Sequence, residues 1–178
     1  MAPEAEVPSG LRAQVLALHE HAFGSGDAHD PALSPVSILL LDGDVVAAAL
    51  DILSKELTHR GEQYQASGLS TVVTDPTRRN RGIGLELVRS AREQIAASGA
   101  DLAMFTCDES LAPFYERAGF ELLRGTQVIG GTPADPFPSG PLGKVTLAAF
   151  FTDHALAHRA DFRSADIELY PGTIDRLW

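Results

Sequence analysis

The residues most able to do chemistry are the arginines and glycines of RRNRGIG, residues 78–84, which lie between an apolar run and a helical pattern. Gly82 and Gly84 let backbone N–H groups approach a ligand closely. The amides of the first helical turn have no partner within the helix, and the helix dipole favours negative charge there. Arginine guanidinium groups add charge and donors that suit phosphate. The stretch therefore predicts an anion site.

The spacing of the glycines excludes two common phosphate loops. A dinucleotide fold requires Gly-x-Gly-x-x-Gly, and a nucleoside-triphosphate loop requires Lys-Ser/Thr after the second glycine. Leu85 and Glu86 follow Gly84 instead. Taken alone, the stretch is equally compatible with an ordinary basic loop that caps a helix.

Two motifs together carry a family resemblance. The order Arg79-x-x-Gly82-x-Gly84, after Val-x-x-x-Pro-x-x-Arg, resembles the acetyl-CoA pyrophosphate loop of the GCN5-related N-acetyltransferases (GNAT). The second motif, APFYERAGF at residues 112–120, is similar to the tyrosine motif that packs beside the cofactor in that family. The resemblance covers residues 35–125 and implies acetyl-CoA as cosubstrate. It implies a set of cofactor contacts: Val72, Val73, Thr74, Arg79, Asn80, Arg81, Gly82, Ile83, Gly84 and Phe114.

The resemblance gives Tyr115 the role of catalytic acid. A neutral amine attacks the thioester carbonyl, and the departing thiolate needs a proton. Tyrosine, with an unperturbed pKa of about 10, is protonated at neutral pH and can donate one. No serine or cysteine nucleophile is required, so the expected reaction is direct transfer. The alternative for Tyr115 is an aromatic that only packs on the inner face of a short helix.

A more particular resemblance concerns the acceptor. At three places the chain is similar to the aminoglycoside 2'-N-acetyltransferases. These places are His59-Arg60-Gly61, the proline-rich segment after Phe120, and the end of the tail, DRLW at residues 175–178. This resemblance implies a cationic amino sugar as substrate. The substrate contacts that we expect on this basis are Asp27, Asp30, Ser70, Thr71, Thr106, Asp175 and Trp178.

The chain departs from that group at one place. The group has an acidic residue just before the glycine loop that helps to take the proton of the amine, whereas residues 68–72 (GLSTV) contain no carboxylate. The general base is therefore open. An unusual aminoglycoside such as kasugamycin would fit, and so would a protein N-terminus, an amino acid or a polyamine. A non-catalytic acyl-CoA-binding module is a further alternative.

Composition bounds the remaining functions. The 178 residues carry a net charge of −10, which argues against a nucleic-acid partner. The sequence lacks a run of about 18 apolar residues and a signal-peptide pattern, so we expect a cytoplasmic protein without a membrane partner.

The lone Cys107 predicts a buried, inert thiol. His154 and His158 have metal-like spacing without a third ligand in view, so we expect no metal. A homodimer is compatible with the family.

For the elements that must position these residues, the resemblance implies an α/β GNAT fold: a mixed, mostly antiparallel sheet flanked by helices, as a single domain over residues 1–178. Apolar periodicity predicts helices over 11–23, 83–98 and 111–118. A hairpin is expected around residues 42–44, and a second one turns at residues 60–61. Strands are expected to end near residue 74 and to cover 102–107, 120–123 and 144–151. Residues 125–143 are expected to be a long loop, and residues 152–178 a substrate-side tail without a clear period.

Overall fold

The computed structural model describes residues 1–24 and 28–178. Its helices are α1 (Ser9–Phe23), α2 (Ile83–Ala97), α3 (Ala112–Arg117) and α4 (Asp153–Ala157). Its strands are β1 (Ala2–Pro3), β2 (Val36–Asp42), β3 (Val45–His59), β4 (Glu62–Thr74), β5 (Leu102–Asp108), β6 (Glu121–Leu123), β7 (Gln127–Thr132), β8 (Asp135–Pro138), β9 (Lys144–Phe150) and β10 (Asp166–Glu168). The predicted helices and both predicted hairpins are confirmed, with bounds shifted by a few residues.

Seven strands form one sheet in the order β1-β2-β3-β4-β5-β9-β6. Neighbouring strands are antiparallel except β4 and β5, which are parallel because α2 crosses between them. A smaller sheet has the order β10-β7-β8. The mixed, mostly antiparallel sheet that the sequence predicts is therefore present.

The two long helices bury separate apolar clusters. On α2, Leu87, Val88, Ala91 and Ile95 are buried in the main core. Their i, i+4, i+8 spacing puts them on one helical face, as the period predicts. On α1, Val15 packs in a second cluster with Val46, Ala49 and Val73. The helices thus cover the central strands β3 and β4, whose residues are almost all buried near their midpoints.

Two irregularities of β4 shape the middle of the sheet. Ala49 pairs with Val73 and Asp51 with Ser70, so the register shifts and β4 bulges at Thr71. Thr71 has φ +50°, which is rare for a β-branched residue. The ladder that joins β4 to β5 consists of two pairs, Ala66 with Leu102 and Ser67 with Ala103, and the strands diverge beyond it. The bulge and the divergence lie side by side.

The expectation of a loop over 125–143 is wrong, because these residues contain β7 and β8. Glycine in β7 has a packing reason: a Cβ on Gly130 would lie 1.4 Å from the carbonyl oxygen of Arg176, and the N–H of Gly131 donates to that oxygen at 2.8 Å. The tail supplies β10, which pairs in parallel with β7. Glycine and proline therefore mark a close approach of the tail and not an irregular loop.

Among residues 1–24 and 28–178, no helix is both long enough and apolar enough to cross a membrane.

Candidate active site

The predicted phosphate loop has the backbone that an anion site requires. Gly82 is the N-cap of α2 with φ +83°, and Asn80 is also left-handed with φ +63°. The first intrahelical bond runs from the N–H of Glu86 to the carbonyl of Gly82, which leaves the N–H groups of the preceding turn free of helical partners. The loop is preceded by a short turn that Asp75 caps by accepting from the N–H of Thr77.

A cleft of about 840 Å³ opens beside this loop. Predicted cofactor residues that line it are Val72, Val73, Thr74, Arg79, Asn80, Gly82, Ile83, Gly84 and Phe114. Arg81 is exposed and does not line the cleft. Close packing explains Gly84, since a Cβ there would lie 2.9 Å from the Thr74 hydroxyl. Nine of the ten predicted cofactor residues thus line one cleft.

The cleft also has lining residues outside the predicted cofactor set. Arg78, Leu111 and Arg117 line it, as do His21 and Phe23 at the end of α1. Arg78 is paired with Asp42 and lies 3.4 Å from Asp75, so its charge is shared within the protein. The contribution of α1 depends on tertiary packing, and no local pattern signals it.

Tyr115 lines the cleft, and its burial determines the protonation state of its hydroxyl. Its ring makes edge contacts with Phe105 and Phe114, with centroids 4.8 Å and 5.0 Å away. Burial, followed by the negative charge that a Cys107 thiolate would carry, raises the pKa of Tyr115 far above its usual value. Burial also raises the pKa of Cys107 to about 11. At neutral pH the hydroxyl of Tyr115 is therefore protonated. Cys107 is the buried neutral thiol that we predicted.

A second pocket of about 340 Å³, which we call the acceptor pocket, lies next to the bulge. It is lined by His19, Phe23, Ala28, His29, Ser70, Thr71 and the tail residues Ile174 to Trp178. Phe23 lines both cavities, and the adjacent residues Thr71 and Val72 line one each. A donor in the cleft and an acceptor in this pocket would therefore be separated by little more than the bulge.

Asp51, an acid that we did not select from the sequence, is buried beside this pocket. Its Oδ1 accepts from the Ser37 hydroxyl at 2.5 Å, and its Oδ2 accepts from the Thr71 hydroxyl at 2.8 Å. Burial alone would raise the pKa of Asp51, but these bonds and the nearby His29 lower it. Asp51 thus supplies a carboxylate to β4 from the neighbouring strand. An isolated aspartate within the apolar run of β3 is the signal that could have identified it.

His29 connects Asp51 to the tail. Its Nδ1 donates to Oδ1 of Asp175 at 2.5 Å, while its Nε2 lies 3.4 Å from Oδ2 of Asp51. The second contact is an ion pair without hydrogen-bond geometry. Burial opposes protonation of His29, yet the two carboxylates outweigh it and raise the pKa of His29 to about 10. The cluster therefore holds one imidazolium between two carboxylates.

Trp178 fills the gap where β4 and β5 diverge. Its indole Nε1 donates to the carbonyl of Met104 at 2.8 Å. A Cβ on Gly68 would lie 1.2 Å from that nitrogen, so only glycine leaves room for the ring. Asp175 on His29 and Trp178 in the sheet thus anchor the end of the tail, in addition to the bond between Gly131 and the Arg176 carbonyl.

Four of the predicted substrate residues lie together, and the rest lie elsewhere. Ser70, Thr71, Asp175 and Trp178 border the acceptor pocket. The side chain of Asp30 caps a short turn by accepting from the N–H of Ala32, and its own N–H donates to Asp175 at 2.7 Å. Thr106 is half-buried on β5, opposite Thr146, and borders neither cavity. Asp27 lies outside the described residues.

The histidine pair of the tail meets an acid at the opposite end of β4 from the phosphate loop. One side-chain ligand atom each from His154, His158 and Glu62 lie within 4.8 Å of one another. The sequence did not reveal Glu62 as a neighbour. His154 and Glu62 are partly exposed and form a 3.8 Å ion pair, and the absence of a metal here stays a prediction.

Comparison with known structures shows the same fold in several proteins, two of which are named as acyltransferases. ElaA of Escherichia coli has a TM-score of 0.61 at 16% identity over 83% of this chain and 95% of that one. An aminoglycoside 6'-N-acetyltransferase complexed with coenzyme A has a TM-score of 0.60 at 14% identity, covering 85% and 96%. An acyl-CoA N-acyltransferase from Pseudomonas aeruginosa has a TM-score of 0.57 at 15% identity, covering 82% and 94%. At these identities the similarity concerns the fold alone.

No curated protein matches the chain significantly. The family model for the acetyltransferase (GNAT) domain matches residues 8–123, which include α1, the phosphate loop and the tyrosine motif. The chain therefore belongs to the GNAT acetyltransferase family, and it is an N-acetyltransferase that uses acetyl-CoA.

Proposed function

We propose that this protein transfers the acetyl group of acetyl-CoA directly to an amine of an aminoglycoside-type amino sugar, with the 2'-amino group preferred and kasugamycin as one candidate. The observation that carries the proposal is the charge of the ion cluster that borders the acceptor pocket. Asp51, Asp175 and one protonated His29 give this cluster a net charge of −1, from two carboxylates and one imidazolium. Arg176 also lines the pocket, but its guanidinium is paired with Asp135 at 2.9 Å. A negative site favours an acceptor that carries several ammonium groups.

The proposed roles follow the two cavities. Backbone groups of residues 72–74 and 79–84 hold acetyl-CoA, with the arginines of the loop beside its phosphates. The amine attacks from the acceptor pocket, and Tyr115 gives its proton to the departing thiolate. Cys107 stays protonated below a pKa of about 11, which disfavours an acyl-cysteine intermediate.

The tail, residues 152–178, is the proposed substrate side of a single domain whose core is 35–125. Ser70, Thr71, Asp175 and Trp178 border the pocket in which the sugar would lie. Asp27, Asp30 and Thr106 stay as predicted contacts. With such a substrate the protein would confer antibiotic resistance from the cytoplasm, as a monomer or a homodimer.

The test is a panel of amines with purified protein and acetyl-CoA, with mass spectrometry of the products. The panel contains kasugamycin, aminoglycosides with and without a 2'-amino group, a polyamine, amino acids and a peptide with a free N-terminus. The proposal expects acetylation of an amino sugar at a higher kcat/KM than of any other class. Preference for a peptide or polyamine would overturn the substrate while leaving the chemistry intact. Binding of acetyl-CoA without any product would favour the non-catalytic module.

A further inference from the structure

The acceptor amine must lose a proton, and the charged groups of the ion cluster beside the pocket are poor candidates to take it. Both carboxylate oxygens of Asp51 and of Asp175 already accept hydrogen bonds, and the pKa values of both carboxyl groups are lowered. His29 carries a proton up to a pKa of about 10, so it has no free lone pair near neutral pH. The proton acceptor has to be sought among the other groups that line the pocket.

His19 is one of these groups. It lies on α1 one turn before Phe23, whose ring is 5.9 Å away, and it lines the acceptor pocket. The residue is 4% exposed, and its Nε2 is buried without a hydrogen-bond partner among the described residues. A buried imidazole nitrogen without a partner costs free energy unless a ligand or water completes it.

The surroundings of His19 favour the neutral ring. Burial lowers the pKa of His19 below its ordinary value of 6.5; the charge of Asp51 opposes this shift, His29 reinforces it, and the backbone of Thr71 opposes it. Glu4 and Arg12 also face His19 across a small cavity between α1 and β3. A histidine that is neutral at neutral pH has a free lone pair and can accept a proton there.

We infer that His19 is the catalytic base that takes the proton of the attacking amine, an inference that rests on the proposed acetyl transfer. The amine nitrogen forms a bond to the acetyl carbon while the carbon–sulfur bond breaks. The proton lost by the nitrogen goes to the imidazole of His19, and the thiolate receives one from Tyr115. Exchange with solvent then returns a proton to Tyr115 and removes one from His19, so that the enzyme is restored.

The test compares His19→Gln, His19→Ala and the control His154→Gln, which changes a histidine at the far end of β4. The measurement is kcat/KM for the best amine of the panel between about pH 5 and about pH 9, the range in which histidine titrates. Wild type and H154Q are expected to share an acidic limb that reports a pKa below 6.5. H19Q is expected to lose that limb and about 10²- to 10⁴-fold in kcat. Added imidazole is expected to restore part of the activity of H19A.

The outcomes separate this inference from the proposed function. If wild type acetylates no amine, the proposed function fails. If wild type is active while H19Q keeps the acidic limb and loses less than about tenfold in rate, the base is another group and the inference is wrong. An NMR titration of the wild-type histidines covers the case in which the variants do not fold. A His19 pKa above 6.5 in that titration would also overturn the inference.

Discussion

At the scale of single residues, Tyr115 is a phenol that burial keeps protonated and that two aromatic rings hold in place. Tyr115→Phe keeps those ring contacts and removes only the donor. We therefore expect kcat to fall by about 10²- to 10⁴-fold with little change in acetyl-CoA affinity. Steady-state kinetics and calorimetric titration measure the two effects. Cys107→Ala is the control, since a neutral thiol contributes no charge, and a Y115F enzyme with the wild-type kcat would remove the assigned role.

Gly82 offers a test of the anion site. A methyl group at Gly82 would enter open space but at φ +83°, which costs about 1–2 kcal/mol of backbone strain. Gly82→Ala should fold and should bind acetyl-CoA more weakly, because the side chain blocks the approach of phosphate to the amides. Gly61→Ala is a matched control: its φ is +86°, it is equally open, and it lies in the turn between β3 and β4. Equal acetyl-CoA affinity of G82A and wild type would contradict the loop assignment.

At the scale of elements, the ion cluster of His29 ties the first loop to β3 and to the tail. His29→Gln leaves two buried carboxylates without their cation, so we expect a loss of about 3–5 kcal/mol in the free energy of unfolding near neutral pH. Denaturant titrations of the variant and wild type measure this loss. The control Arg60→Gln removes an exposed ion pair with Asp161 and should change stability little.

The same cluster predicts how stability depends on pH. The pKa of His29 is raised on folding, so its contribution is complete below its ordinary value of 6.5 and disappears as the pH rises through about 10. The pKa values of Asp51 and Asp175 are lowered, so their contribution is complete above 3.8 and is lost on acidification. H29Q should lose the alkaline part of the dependence. A difference between H29Q and wild type that does not shrink at high pH would contradict the ion cluster.

The insertion of Trp178 into the sheet predicts energetic coupling to Gly68. Gly68→Ala places a Cβ on the indole and should displace the tail, while Trp178→Ala opens a cavity that costs about 3–5 kcal/mol. In the double variant the alanine at position 68 has room, so the combined loss should be smaller than the sum of the two. Denaturant titrations of the four proteins form the cycle. Additive losses would show that the ring does not pack there.

The elements that could be predicted are those whose signal is local. The i, i+4 spacing of Leu87, Ala91 and Ile95 predicted α2, and nine of the ten predicted cofactor residues line one cleft. The strand β7 was missed because Gly130 and Gly131 look like loop residues until the tail lies against them. The His29 cluster joins residues more than a hundred positions apart, and no periodicity encodes such a contact. Asp51 is visible as an isolated aspartate in an apolar run, but its partners could not be predicted, since they come from β2, β4 and the first loop.

At the scale of the whole molecule, the cleft beside the phosphate loop and the acceptor pocket adjoin at the bulge of β4 and share Phe23. Arginines of the loop bring positive charge to the cleft in a chain whose net charge is −10. With the proposed substrate, an anionic cosubstrate and a cationic amine would meet near Thr71 and Val72. This arrangement would favour a ternary complex and direct transfer over a covalent acetyl-enzyme.

The most direct test of acetyl transfer to an amino sugar is to incubate the full chain with acetyl-CoA and either kasugamycin or an aminoglycoside that has a 2'-amino group. Mass spectrometry and NMR then identify the product. We predict a monoacetylated sugar with a new amide, formed in amounts equal to the free coenzyme A released. Absence of any acetylated amino sugar, while the protein binds acetyl-CoA and acetylates another amine or none, would contradict the proposed function.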